Sequence, residues 1–206
     1  MGLAVAVVGA AIYFPVLKRR VKRQAQVQQQ SEEQARRELV QSLTAAANEP
    51  MLKAKLFWAS EEDSSELAPT TVELPLSDDP VVRAKQVLNT LLAGPVDAEL
   101  RTLPPDAVLL AFYILPDGTA IADFSEAMAN SIPSGVHSEQ LAVDSITKTL
   151  EADVPQVRRL KILIHGQEVE TLAGHLDLTG MFPVSMKASA PASVAVAKGG
   201  AAATGK

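Results

Sequence analysis

The apolar positions of this chain change period several times between Met51 and Leu178, and each change marks a predicted element. From Pro80, Val81, Ala84, Leu88 and Leu91 recur at helical spacing, with Val82 and Leu92 widening the stripe, while Arg83, Lys85, Gln86 and Asn89 fall largely outside it. That spacing predicts an amphipathic helix with one face for a core. Asp79 can accept hydrogen bonds from the free amides of its first turn, and Pro80 gives up only a donor that had no partner. Gly94 supplies the left-handed residue that closes a helix, and Pro95 cannot continue it.

Val108 to Leu115 is an almost unbroken run of strand formers, which predicts a central strand covered on both faces. Pro116, Asp117 and Gly118 form a turn, so Thr119 to Phe124 should return antiparallel. A second helix opens near Ser138, whose hydroxyl can cap it, with Ser134 an equally legal cap. Glu139 lies in its positive first turn, and Ala142, Val143, Ile146 and Leu150 form its buried stripe. Pro155 ends it. Arg158 to Ile164 reads as a strand with Leu160, Ile162 and Ile164 on one face and Lys161 facing outward. His165 and Gly166 turn the chain into a last short strand, Glu168 to Leu172. Lys53 to Ala59 and Val72 to Leu74 are weaker strand candidates. The predicted fold class is α/β (α+β): a small mixed β-sheet packed with two main helices, preceded by a membrane-anchor helix and a stalk.

Composition separates this body from the ends of the chain. Of 206 residues, 47% are hydrophobic but only 4% aromatic, which leaves room for one domain of ordinary size. The expected organisation is an apolar anchor over 1–17, a polar helical stalk over 18–50, the domain over 51–183 and a disordered tail over 184–206. As a helix, Gly2 to Leu17 reaches about 24 Å, short of the roughly 30 Å hydrocarbon layer, and could span with snorkelling lysines and arginines. An uncleaved anchor is preferred to a cleaved signal, because the basic residues come after the apolar run instead of leading it. A buried helix is the remaining alternative. Between anchor and domain, Val21 to Asn48 reads as a solvated stalk, with a coiled-coil dimer as the sharper alternative.

The formal charge of -5 gives no reason to expect nucleic acid. Lys18, Arg19, Arg20, Lys22 and Arg23 form the only dense basic cluster, and its place beside the apolar segment points to lipid headgroups. With no cysteine, disulfides and thiol chemistry drop out.

Acid–base or metal chemistry would have to come from His137, His165, His175, Asp123 or Asp177. No two histidines have helical metal-ligand spacing, and no serine sits in a glycine-flanked nucleophile elbow. Glu61 to Ser65 lacks the ligand spacing and turn glycine of a calcium loop. No catalytic, cofactor or metal residue is therefore assigned. His175 and Asp177, two apart, would share one face of a strand and hold each other by a hydrogen bond, with Asp177 also capping a local turn. Ser138, Glu139, His175 and Asp177 remain as candidate interaction or structural-motif residues.

The segments LLAGP, PDGTAIADFSE, SEQLAVDSITKTL and VRRLKILIHGQEVETLAGHLDL, in that order, resemble the GerMN domain, a family named for spore-germination and sporulation proteins. The resemblance spans about Met51 to Pro183 and is strongest at Thr149, Leu150 and the run Gly166 to Leu178. The chain departs from the family pattern at Lys148, where an asparagine is usual, and at Ser134 to His137. The resemblance implies a small α/β module on the outer side of a membrane, used in assembly or sensing, similar to ring-building domains and without a known catalytic activity. The positive-inside rule argues the opposite orientation, since it keeps the basic cluster and the domain beyond it in the cytoplasm; the expectation follows the resemblance, a single-pass protein of the bacterial cytoplasmic membrane with its domain outside. Expected partners are the membrane, through the N-terminal segment, and envelope proteins. The rival is a peptidoglycan-binding or peptidoglycan-processing protein, and a cytoplasmic adaptor is the third choice.

Overall fold

The computed structural model describes residues 26, 27, 29–37 and 51–184. The apolar segment Gly2 to Leu17, the basic cluster at 18–23, most of the expected stalk and the tail from Ser185 lie outside the described residues. Among the described residues no helix is long and apolar enough to cross a membrane. Residues 29–37, helix α1, are mostly exposed, with Arg37 and Glu33 paired one turn apart at 3.7 Å.

Two sheets, not the single one expected, carry the domain. Strands β1 (Met51–Ala59) and β2 (Leu67–Pro75) form an antiparallel hairpin. A second sheet has the order β3 (Leu109–Ile114), β4 (Thr119–Phe124), β5 (Arg159–Ile164), β6 (Phe182–Pro183). Its β4 and β5 are parallel, and the crossover between them holds a short α3 (Ala127–Asn130) and the long α4 (Val136–Asp153). Helix α2 (Pro80–Ala93) joins the two sheets.

Local chemistry sets most boundaries as the sequence predicts. The Asp79 carboxylate accepts from the amides of Val81 and Val82, each at 2.9 Å, and Gly94 closes α2 at φ 86°. Arg101 donates to the carbonyls of Leu92 and Ala93, placing a cation on the negative end of α2. Within the helix, Val87 joins Ala84, Leu88, Leu91 and Leu92 in the core, whereas Val82 is exposed. Gly118, at φ 82°, makes the β3–β4 turn, where a Cβ would lie 2.9 Å from the Gln156 carbonyl.

Beneath the helices, Phe112, Ala120, Ala122, Phe124, Leu160 and Ile162 turn one sheet face into the core. From the other side, α4 contributes Ala142, Val143, Ile146 and Leu150, all fully buried as their spacing required.

Three expectations fail here. Strand β3 is an edge, not a central strand: a bulge between Leu109 and Ala111 lets both Leu109 and Phe112 face the core, and Tyr113 stays exposed. Glu168 to Leu172 is not a strand; isolated bridges link Ile164 to Gln167 and Thr171 to Asp177, and the partner of β5 is Phe182–Pro183 instead. Lys161 does not face solvent. Its ammonium donates to the carbonyls of Leu178 (3.2 Å) and Thr179 (2.7 Å) and pairs with Glu168 (3.2 Å), because segment 168–179 folds back over that side of the sheet.

Candidate functional site

Two polar constellations hold the domain together, and both belong to α4. The first begins at Glu139, in the first turn of the helix. Glu139 shares the apolar stripe with Ala142, Val143 and Ile146, so the helix carries its carboxylate inward, where it is fully buried. There it accepts amide hydrogen bonds from Ala173 (3.1 Å), His175 (3.2 Å) and Leu176 (2.8 Å), with a longer one from Gly135 (3.4 Å). The His175 ring completes the set, its Nδ1 2.9 Å from Glu139 Oε1. Burial by itself would raise the carboxyl pKa, but the Leu176 amide, the His175 ring and the amides of Ala173 and His175 outweigh it and lower the pKa to about 2. At neutral pH Glu139 is therefore an anion with no proton to give. It tethers the loop 173–176 to the start of α4.

Of the four residues singled out from sequence, this centre unites Glu139 and His175 and leaves out the other two. Ser138 is not a cap: α4 starts at Val136, and the Ser138 hydroxyl donates back to the carbonyls of Pro133 and Gly135. Ser134 does not cap either; its hydroxyl donates to the Ala173 carbonyl at 3.4 Å. His175 and Asp177 do not bond to each other. Since the chain turns there instead of extending, His175 meets Glu139, while Asp177 accepts from the amide and hydroxyl of Thr179, each at 2.7 Å. Those two bonds hold the Asp177 carboxyl below its ordinary pKa and make it the expected turn cap.

Asp123, next to last in β4, and His165, just after β5, lie at the C-terminal ends of the two parallel strands, where ligands of open α/β sheets often bind. Asp123 accepts from the Gly166 amide at 2.7 Å, which fixes the tight turn after β5. His165 takes a left-handed backbone, φ 51°, and its Nδ1 is buried with no protein partner. His137 is exposed on α4. Among the described residues no group of three or more acidic or histidine side chains is placed to hold a metal ion.

The second constellation was missed in the sequence. Ser145, Thr149 and Asp153 lie four apart along α4 and face the free edge of β1. The Ser145 hydroxyl donates to the Phe57 carbonyl, Thr149 Oγ1 accepts from the Phe57 amide at 3.2 Å, and both Asp153 oxygens accept from the Lys55 amide at 3.1 Å. Thr102 extends the chain through Ser145 at 2.7 Å. A helix face thus does for β1 what another strand would do. Burial pushes the Asp153 carboxyl up to about 6, against the Lys55 amide bond and the charges of Arg83 and Lys55. The four-residue repeat of small polar residues beside an apolar stripe was the available signal.

Residues 55–170, more than half of the chain, match the family described as Germane: sporulation and spore germination. The chain belongs to the Germane family. Among solved structures, the first GerMN domain of the sporulation protein GerM from Bacillus subtilis is 28% identical, with a TM-score of 0.52 over 64% of this chain and 97% of that one. The tandem GerMN domains of the same protein match at 24% identity and TM-score 0.46, over 66% of this chain and 45% of that one. A Clostridium perfringens chain provisionally described as a lipoprotein matches at 22% identity and TM-score 0.47, over 66% and 91%. No curated protein matches. The GerMN resemblance read from LLAGP, PDGTAIADFSE and the later segments is therefore correct; the Ser145–Thr149–Asp153 constellation lies inside the matched span, whereas Glu139 lies inside it and its partners at 173–176 lie just beyond.

Proposed function

We propose that this Germane-family chain is a membrane-anchored, non-catalytic interaction module that helps organise or sense the bacterial cell envelope. The observation that carries the reading is the commitment of four acidic side chains to the chain's own backbone: Glu139 to loop 173–176, Asp123 to Gly166, Asp177 to Thr179 and Asp153 to Lys55. A carboxylate whose oxygens accept from the chain's own amides serves to hold the fold together. The apolar run Gly2 to Leu17 and the basic cluster after it support the anchor, and the outward-facing orientation rests on the resemblance of the whole module to an envelope family. Anchoring confines the domain to two dimensions, so weak contacts suffice to assemble a complex.

Fractionation tests the anchor. The full chain should partition with membranes and a version lacking residues 1–23 should not; retention of the shortened chain overturns anchoring. A reporter fused after Lys206 that is active only outside the cytoplasm tests the orientation. The second reading, a peptidoglycan-binding or peptidoglycan-processing protein, rests on the orphaned His165 Nδ1 at the strand ends. Titrating the full chain with purified wall fragments separates the two, because saturable binding or turnover would favour the second.

A further inference from the structure

Helix α4 carries two buried carboxylates, one in its first turn and one in its last, and their hydrogen bonding is unequal. Glu139, at the positive end of the helix, accepts from four amides and meets the His175 ring. Asp153, at the negative end, is 9% exposed and receives one donor, the Lys55 amide, shared between its two oxygens at 3.1 Å each. A carboxylate offers about four acceptor sites, so Asp153 leaves most of its capacity unused. Among the described residues it has no ion pair. The charges that face it are Lys55 from β1 and Arg83 from α2, and Arg83 is already turned to the Ser77 carbonyl and the Asp78 carboxylate. Ala54 and Val154, next in the chain to the two bonded residues, are fully buried.

The three side chains that close the β1 edge therefore differ in kind. Ser145 and Thr149 hold Phe57 through hydroxyls, which keep their protons across the physiological range, whereas Asp153 holds Lys55 through a group that titrates. We infer that the seam between β1 and the last turn of α4 is a pH-dependent latch: a proton on Asp153 keeps the seam shut at Lys55, and loss of that proton loosens it there while Phe57 stays fixed.

The physical cause is the cost of an anion short of donors. An uncharged carboxyl keeps its carbonyl oxygen for the Lys55 amide and stays buried at little cost, but the ionised group lacks partners and sits at the negative end of its own helix. Ionisation is relieved when the last turn moves off β1 and water reaches the oxygens. Burial accordingly raises the Asp153 carboxyl to about 6, against the Lys55 amide bond and the charges of Arg83 and Lys55. The chain before Met51 enters the domain through the first residues of β1, and Met51, Leu52 and Lys53 are exposed. The latch thus acts where that chain is attached, and the domain's hold on it weakens as acidic surroundings become neutral. This device goes beyond the interaction reading and depends on neither the anchor nor a partner.

Amide hydrogen exchange tests it, read residue by residue by NMR on the full-length chain in detergent micelles and divided by the intrinsic rate at each pH. With the Asp153 carboxyl at its ordinary 3.8 when water reaches it and at about 6 when latched, opening at Lys55 becomes at most about 25-fold more favourable between pH 4.5 and pH 7.5. After allowance for solvent screening, protection of the Lys55 amide should fall by about fivefold or more over that interval, and protection of the Phe57 amide by less than about twofold. In chain carrying Asp153→Asn, whose side-chain oxygen still accepts from Lys55, the change at Lys55 should shrink below about twofold. A smaller fall at Lys55, an equal fall at Phe57, or a fall that survives Asp153→Asn overturns the latch. Membrane retention does not enter these rates, so failure of the anchor and failure of the latch are distinguishable.

Discussion

Glu139 and His175 are joined across two different kinds of environment: the carboxylate is completely enclosed, while the imidazole bonded to it at 2.9 Å is 43% open to solvent. The pair marks where loop 173–176 is fastened to the first turn of α4. Most of the fastening comes from backbone amides, with the imidazole as an addition at the rim.

Removing Glu139 should therefore cost far more than removing His175. Glu139→Ala leaves the amides of Ala173, His175 and Leu176 without an acceptor, and a loss of about 3–5 kcal/mol is expected for breaking up such a buried charged group. His175→Ala keeps those three bonds and should cost about 1 kcal/mol. Urea unfolding of both variants checks the ratio. Hydrogen exchange should show the 173–176 amides losing protection in the first variant and largely keeping it in the second.

Stability should respond to pH with opposite signs at two carboxylates. Glu139, with its folded pKa lowered to about 2, contributes stability that is present above its ordinary value of 4.5 and lost as pH falls toward 2. Asp153, raised to about 6 from 3.8, binds its proton more tightly when folded; its contribution is largest below 3.8 and declines as pH rises to 6. Asp153→Asn keeps an oxygen for the Lys55 amide and removes the buried charge. After allowance for solvent screening, it should gain about 1 kcal/mol at pH 8 and nothing at pH 4, read as melting temperatures at the two pH values. A lower melting temperature at pH 8 would contradict the assignment of burial as the dominant effect.

The guard on β1 should be measurable residue by residue. Thr149→Val preserves shape and leaves the Phe57 amide unpaired, for an expected loss of about 1–3 kcal/mol and faster exchange at that amide. Ser145→Ala should lose a comparable amount by stranding the Phe57 carbonyl. If neither substitution moves the unfolding midpoint, the helix is not substituting for a neighbouring strand.

Gly118→Ala tests the hairpin. The position combines a positive φ of 82° with a would-be Cβ only 2.9 Å from the Gln156 carbonyl, so strain and contact act together. A loss of about 1–3 kcal/mol is expected, seen as a fall in melting temperature. No change would mean that the turn rearranges freely.

The chain by itself determined most elements whose cause is local. Asp79, Pro80 and Gly94 bound α2 through cap chemistry, Gly118 turns the β3–β4 hairpin, and the spacing of Ala142, Val143, Ile146 and Leu150 places the buried face of α4. The ordered segments also sufficed to recognise the Germane family. What only tertiary structure decided was where long-range partners meet. Glu139 reads as a first-turn acid until loop 173–176 folds onto it, and His175 reads as a partner of Asp177 until the chain turns between them. Lys161 and Tyr113 make the same point in opposite directions: each alternates regularly along its strand, yet one is covered by segment 168–179 and the other is left open at a sheet edge. A period fixes which side of an element a residue occupies, whereas coverage of that side depends on chain far away in sequence.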